Sequence, residues 1–131
     1  MTTTTVQGWA LDVERGPDWL FVKMRGGNDS SLPQGDERHA GLAEEVLSSL
    51  KNHFVHRLVL DLSELPMLKS YLIGQLVLLQ KRISADNGVL RLCGLSDANE
   101  KVLTLTRLHE RLPNFASRAD AVRGHRPGLP R

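Results

Sequence analysis

The side chains able to do covalent or acid–base chemistry are few in this chain and stand apart from one another. The single cysteine, Cys93, ends the run Val89–Cys93 (VLRLC) beside Leu90 and Leu92, with no histidine near it in sequence. A thiol in such company is expected to be buried and structural, because free cysteine packs as a small apolar group and reacts only where a base or cation lowers its pKa. His53 and His56 lie three apart around Phe54-Val55, without a cysteine or carboxylate at ligand spacing, so a solvated pair is expected rather than a metal site. His39, His109 and His125 form no constellation with them. Gly26-Gly27 lacks the spacing and the lysine of a phosphate-cradling loop, and Glu44-Glu45 falls on the polar side of a helical pattern. The expectation is a protein that is not an enzyme, with no cofactor and no metal.

One segment remains, Val59–Gly74 (VLDLSELPMLKSYLIG). An apolar strand reaches Asp61, a loop containing Pro66 follows, and Ser70 stands where the next helical pattern begins. A serine there is expected to cap the helix by accepting a hydrogen bond from the amide of Leu72 or Ile73. The same place suits an added phosphate, since free amides and the positive end of the helix dipole favour negative charge. Tyr71 beside it is amphipathic enough to anchor an interface or to fill part of the core.

These residues need a frame, and hydrophobic periodicity supplies one. Trp9–Glu14 alternates apolar and polar, Arg15–Asp18 (RGPD) is turn chemistry, and Trp19–Met24 is extended again, which together predict a β-hairpin. Gly26–Gly35 is a loop of turn formers, either an inert insertion or a segment that shapes partner choice. Asp36–Lys51 is an amphipathic helix on Leu42, Val46, Leu47 and Leu50. Arg57–Leu62 is a strand of the kind buried on both faces, and Tyr71–Ile83 is a helix on Leu72, Leu76, Leu79 and Ile83. Asn87-Gly88 breaks the chain before the strand Val89–Cys93. Ser96 or Asp97 then caps a helix carrying Val102, Leu103 and Leu105. Leu112–Ala116 is a last short strand, and Ser117–Val122 a helical turn with Ala119 and Val122 inward.

Strands separated by helices imply parallel pairing with right-handed crossovers. The expected fold is α/β: a small mixed, mostly parallel sheet of four to five strands with helices packed against it, opened by an antiparallel hairpin. Met1–Thr5 has no periodicity and Arg123–Arg131 is rich in Gly and Pro. The expected organisation is therefore a flexible stretch over 1–8, one domain over 9–122, and a flexible basic tail over 123–131.

A length of 131 residues suits one core, and 40% hydrophobic with 24% charged residues is an ordinary globular composition. The net charge of +2 is a property of the tail: residues from Arg107 onward carry six arginines against Glu110 and Asp120, while residues 1–106 are slightly acidic. With aromatics at 5%, the basic, aromatic-bearing face of a nucleic-acid binder is missing. No apolar run approaches a membrane span, no basic residue precedes Arg15, and a lone cysteine fits a reducing compartment, so a cytoplasmic protein without membrane insertion is expected.

The runs LVLDLSELPMLKSYLIGQLVLLQKRI and GVLRLCGLSDANEKVLTLTRLHERLPNFASRADAV resemble the STAS family, the anti-sigma-factor-antagonist domain also found on sulfate transporters. In that family a strand ending in Asp leads through a loop to an Asp-Ser-(Ser/Thr)-Gly-Leu-Gly segment at a helix start. The resemblance extends from the hairpin near Trp9 to Val122. It implies that Ser70 matches the serine phosphorylated by a partner serine kinase that is itself an anti-sigma factor. Asp61 then matches the acidic strand end and Gly74 the second glycine. Lys69 stands where the family has Asp, Tyr71 replaces Ser or Thr, and Leu72 replaces the first glycine. On this resemblance the expected role is a regulatory anti-sigma factor antagonist whose binding surface comprises Asp61, Lys69, Ser70, Tyr71, Ile73 and Gly74. The alternative within the family is a scaffold or transporter-accessory subunit bound constitutively to another partner. A homodimer is compatible with either.

Overall fold

The computed structural model describes residues 2–6, 9–26, 42–65, 67–68 and 70–124. The loop after Gly26, the first part of the expected helix from Asp36, Pro66, Lys69 and the tail from residue 125 lie outside the described residues.

The strands are β1 (Thr2–Val6), β2 (Trp9–Arg15), β3 (Leu20–Gly26), β4 (Arg57–Asp61), β5 (Val89–Cys93) and β6 (Asn114–Phe115); the helices are α1 (Leu42–Asn52), α2 (Ser70–Ala85), α3 (Asp97–Leu105) and α4 (Arg118–Arg123). They build one sheet in the order β1-β2-β3-β4-β5-β6, with β1-β2 and β2-β3 antiparallel and the remaining pairs parallel. The hairpin and the mostly parallel sheet are as expected. The threonine run differs: instead of standing outside the fold, Thr2–Val6 pairs along β2 from Thr2 opposite Val13 to Val6 opposite Trp9. An edge strand is held by backbone ladder bonds and favours β-branched residues, so it needs no apolar alternation to form.

Because each parallel strand is added on the same side of its predecessor, right-handed crossovers bring α1, α2 and α3 to one face. The strands send Leu11, Val13, Leu20, Val22, Leu58, Leu60 and Leu92 into that face. α1 meets them with Leu42, Ala43, Val46 and Leu50, and α2 with Leu72, Leu76, Leu79 and Ile83, spaced as a helical stripe requires. The Gln75 side chain ties the two helices, its Oε1 accepting from the Ala43 amide at 2.9 Å.

The other face carries a smaller cluster of Trp19, Val59, Cys93, Phe115 and Ala121, covered by α4. The helical turn expected to face inward through Ala119 buries Ala121 instead, and Ala119 is exposed. The helix is capped by the Ser117 side chain at Asp120, and that phase turns position 121 to the sheet. Arg91 Nη1 donates to the Ala121 carbonyl at 2.7 Å and to that of Val122 at 3.3 Å, while its guanidinium lies 5.4 Å from the Trp19 ring centre and 5.7 Å from that of Phe115.

All four helices end on a residue with left-handed backbone: Phe54 (φ 56), Asn87 (φ 61), Arg107 (φ 60) and Gly124 (φ 70). In the first three the next amide reaches back to the last turn: Val55 to the Leu50 carbonyl at 3.2 Å, Gly88 to that of Ile83 at 2.8 Å, and Leu108 to that of Leu103 at 2.8 Å. This is the Schellman arrangement, normally given to Gly or Asn; a side chain such as phenylalanine costs about 1 kcal/mol there. Gly88 itself is required by contact, since a Cβ would sit 2.3 Å from the His56 carbonyl oxygen.

Candidate functional site

The link between β4 and α2 is short and pinned at several points. The Leu62 amide donates to the Cys93 carbonyl at 2.9 Å, extending the β4-β5 ladder, and Leu65 and Leu68 are buried anchors. Between them the link is held by α3. Asn99, 3% exposed, accepts the Leu68 amide on Oδ1 at 2.9 Å and donates from Nδ2 to the Leu65 carbonyl at 3.3 Å. Asn99 is in turn fixed because its own amide donates to the Oγ of the α3 cap, Ser96, at 3.2 Å. A buried amide with both ends satisfied determines loop geometry, since losing either bond strands a backbone group away from water.

Ser70 is the first residue of α2 and exposed, one position inside the helix rather than ahead of it. The apolar stripe from Leu72 sets the phase of the helix but not its first residue, which is Ser70. Around Ser70 the surface carries exposed Met67 (58%) and Tyr71 (39%), and exposed Gly74, where a Cβ would find nothing within 4 Å. Ile73 is half-buried and packs against the core. Lys69 lies outside the described residues.

Electrostatically this helix start differs from its neighbours. The first turn of α1 holds Glu44 and Glu45 and that of α3 holds Asp97 and Glu100, whereas that of α2 holds no acidic residue. The positive end of the α2 dipole is therefore not offset by a carboxylate of its own first turn.

Asp61 belongs elsewhere. It shares the strand face of Val59, opposite the helices α1 and α2, and its Oδ1 accepts the Ser63 amide at 3.0 Å while Oδ2 accepts from Arg118 Nε of α4 at 3.3 Å. Burial pushes this carboxyl up, but hydrogen bonding from Ser63 and the Arg118 guanidinium outweigh it and hold the group below its ordinary value. Of the expected surface, the structure thus groups Ser70, Tyr71 and Gly74, with Ile73 partly beneath them, and turns Asp61 to the α4 face. Met67 and Asn99 escaped the sequence reading. Met67 gave no signal, since it lies in the loop before α2 where residue spacing fixes no common face; Asn99 gave none either, being the third helical residue of an otherwise ordinary capped helix.

Cys93 is buried as expected, and burial, with Asp61 adding to it, pushes its thiol up to about 12. His56 is exposed; His53 is half-buried, with Nδ1 2.8 Å from the Ser49 carbonyl oxygen. Among the described residues no group of three or more His, Cys, Asp or Glu side chains could hold a metal ion, and no helix is long and apolar enough to cross a membrane.

Comparison with known proteins adds a match to the STAS domain over residues 36–121. No curated protein matches the chain. Among solved structures, a Thermotoga maritima protein is 20% identical with a TM-score of 0.69, covering 87% of this chain and 92% of its own. An anti-sigma factor antagonist from Mycobacterium paratuberculosis is 17% identical with a TM-score of 0.67, covering 92% and 97%. The Bacillus cell fate determinant SpoIIAA in its phosphorylated form is 13% identical with a TM-score of 0.59, covering 87% and 97%. At these identities the likeness is one of fold.

Proposed function

The chain belongs to the STAS domain family, and from that premise we propose that it is a non-catalytic regulatory protein of the anti-sigma factor antagonist type, acting in the cytoplasm by docking its Ser70 pole onto a serine-kinase anti-sigma factor. The observation that carries this reading is the start of α2: an exposed hydroxyl on a helix end lacking its own acid, with exposed Tyr71 and Gly74 on the same helix and exposed Met67 in the loop before it, which Asn99 ties to α3 at Leu65 and Leu68. Large side chains such as Met67 and Tyr71 on a surface whose loop is tied at both anchors are the kind of group that dominates a docking contact.

Phosphorylation of Ser70 is the proposed switch. The phosphate would meet no carboxylate in the first turn of α2, so the helix would tolerate it, and the added charge would change what the surface attracts. A partner shaped for the unmodified surface would then face a dianion that it must desolvate. One fold neighbour is a phosphorylated form, which supports compatibility of the fold with such a modification.

The test is affinity for a serine-kinase anti-sigma factor from the same cell, measured by calorimetry with wild type, Ser70→Ala and Ser70→Glu. Wild type and Ser70→Ala are expected to bind alike and Ser70→Glu at least about tenfold more weakly. Equal binding by all three removes the switch. Absence of binding by the wild type removes this partner class and leaves the constitutive scaffold role.

A further inference from the structure

We infer that the groove between the C-terminal ends of α1 and α2, with Phe54 on its lip, is a self-association face through which two copies of this chain pair about a two-fold axis, each Phe54 ring entering the groove of the other. Phe54 is a large apolar residue whose side chain its own fold leaves unburied. Phe54 occupies the left-handed position that closes α1, which the chain assigns elsewhere to Asn87, Arg107 and Gly124. The residue is 88% exposed, so its apolar side chain gains nothing from burial within the molecule. A large apolar side chain left in water beside an apolar groove points to a contact made outside the chain.

A receptor for the ring lies beside it. A groove of about 720 Å³ is walled by Leu47 and Leu50 of α1, Val55 and Ile83, with Phe54 at its edge. Knob and hole on one contiguous patch are the requirement for an isologous contact, in which the same surface meets itself. The rim carries both signs of charge, Lys51 and Arg82 against Asp86. None of these three takes part in a salt bridge among the described residues, so each is available to a group of opposite charge on a second copy. A small acidic ligand fits the groove less well, because α1 and α2 both present their negative dipole ends there.

The geometry also keeps this face away from the Ser70 pole. α1 runs into β4 and α2 returns from it, so their C-terminal ends share the pole opposite Ser70, a separation of roughly 22 Å along α2. Pairing would leave two Ser70 surfaces open at once.

Sedimentation analysis of the full chain from about 1 µM to about 1 mM tests the inference directly and involves no kinase partner, so its result is independent of the Ser70 reading. The wild type is expected to show a monomer–dimer equilibrium. Phe54→Asn, which places at α1 the residue that already closes α2, and separately Asp86→Lys, which makes the rim uniformly cationic, are each expected to weaken the dimer at least about tenfold with the circular dichroism spectrum unchanged. If Phe54→Asn does not fold, Asp86→Lys carries the test. A wild type that stays monomeric throughout, or a dimer indifferent to either folded variant, overturns the inference and leaves the groove to an apolar ligand or a different protein.

Discussion

The two faces of the sheet are held by different physics. Under α1, α2 and α3 lies a contiguous aliphatic core in which Leu20, Val22, Leu58, Leu60, Leu76 and Leu92 are wholly shielded from solvent. Under α4 the apolar cluster has five buried members, and the helix is fastened by polar and charged contacts: Arg91 to the Ala121 carbonyl across Trp19 and Phe115, and Arg118 to Asp61, with Glu14 3.7 Å from the same guanidinium. Apolar burial is non-directional and tolerates pH, whereas contacts of the second kind depend on geometry and on protonation state. The contrast teaches that the large face specifies the fold while the small one is the part that single charges hold closed.

The sharpest way to break this contrast is on the large face. Leu60→Ala removes a fully buried side chain of the large core cluster and is expected to lower stability by about 2–5 kcal/mol, read from urea unfolding. Its cost should not vary between pH 7 and pH 3. On the small face, Arg91→Ala loses two charged hydrogen bonds and the stacking on Trp19 and Phe115, for an expected loss of about 1.5–3 kcal/mol. The telling readout is Cys93, whose thiol is buried under α4: it should resist alkylation in the native wild type and label faster in the Arg91→Ala protein. Equal labelling would show that α4 does not hinge on Arg91.

A smaller effect sharpens the comparison through pH. The Asp61 carboxyl titrates below its ordinary value in the folded protein, so between its folded and unfolded pKa values the unfolded chain binds more protons. Its contribution is therefore present above about pH 4 and is lost as pH falls through the folded pKa. Asp61→Asn is expected to be less stable than wild type at neutral pH, with the gap closing under acid, measured by unfolding at pH 7 and pH 3. A gap that persists unchanged at pH 3 would mean that Asp61 acts through shape rather than charge.

The physical separation of these regions explains what was readable in advance. Leu72, Leu76, Leu79 and Ile83 announce a helix because the period of a helix is written in adjacent residues, and the same holds for the hairpin alternation around Leu11 and Val13. Ser70 was legible as the hydroxyl at the helix start for the same reason. Asp61 was not legible in its role, because the partner that captures it, Arg118, is 57 residues away. Asn99 was hidden likewise, since the loop amide it receives lies 31 residues upstream. The threonine strand β1 was overlooked because an edge strand is held by backbone bonds, which leave no trace in side-chain pattern.

By itself, then, the sequence determined the order and type of the elements from β2 onward, the aliphatic faces of α1 and α2, and the serine at the head of α2, all consequences of local periodicity and of removing apolar side chains from water. Only the tertiary structure decided which face of the sheet receives Asp61, what holds the loop before Ser70, and that Phe54 stands beside a groove. Those outcomes depend on pairing between residues far apart in the chain, and such pairing exists only once the core has closed and set their distances.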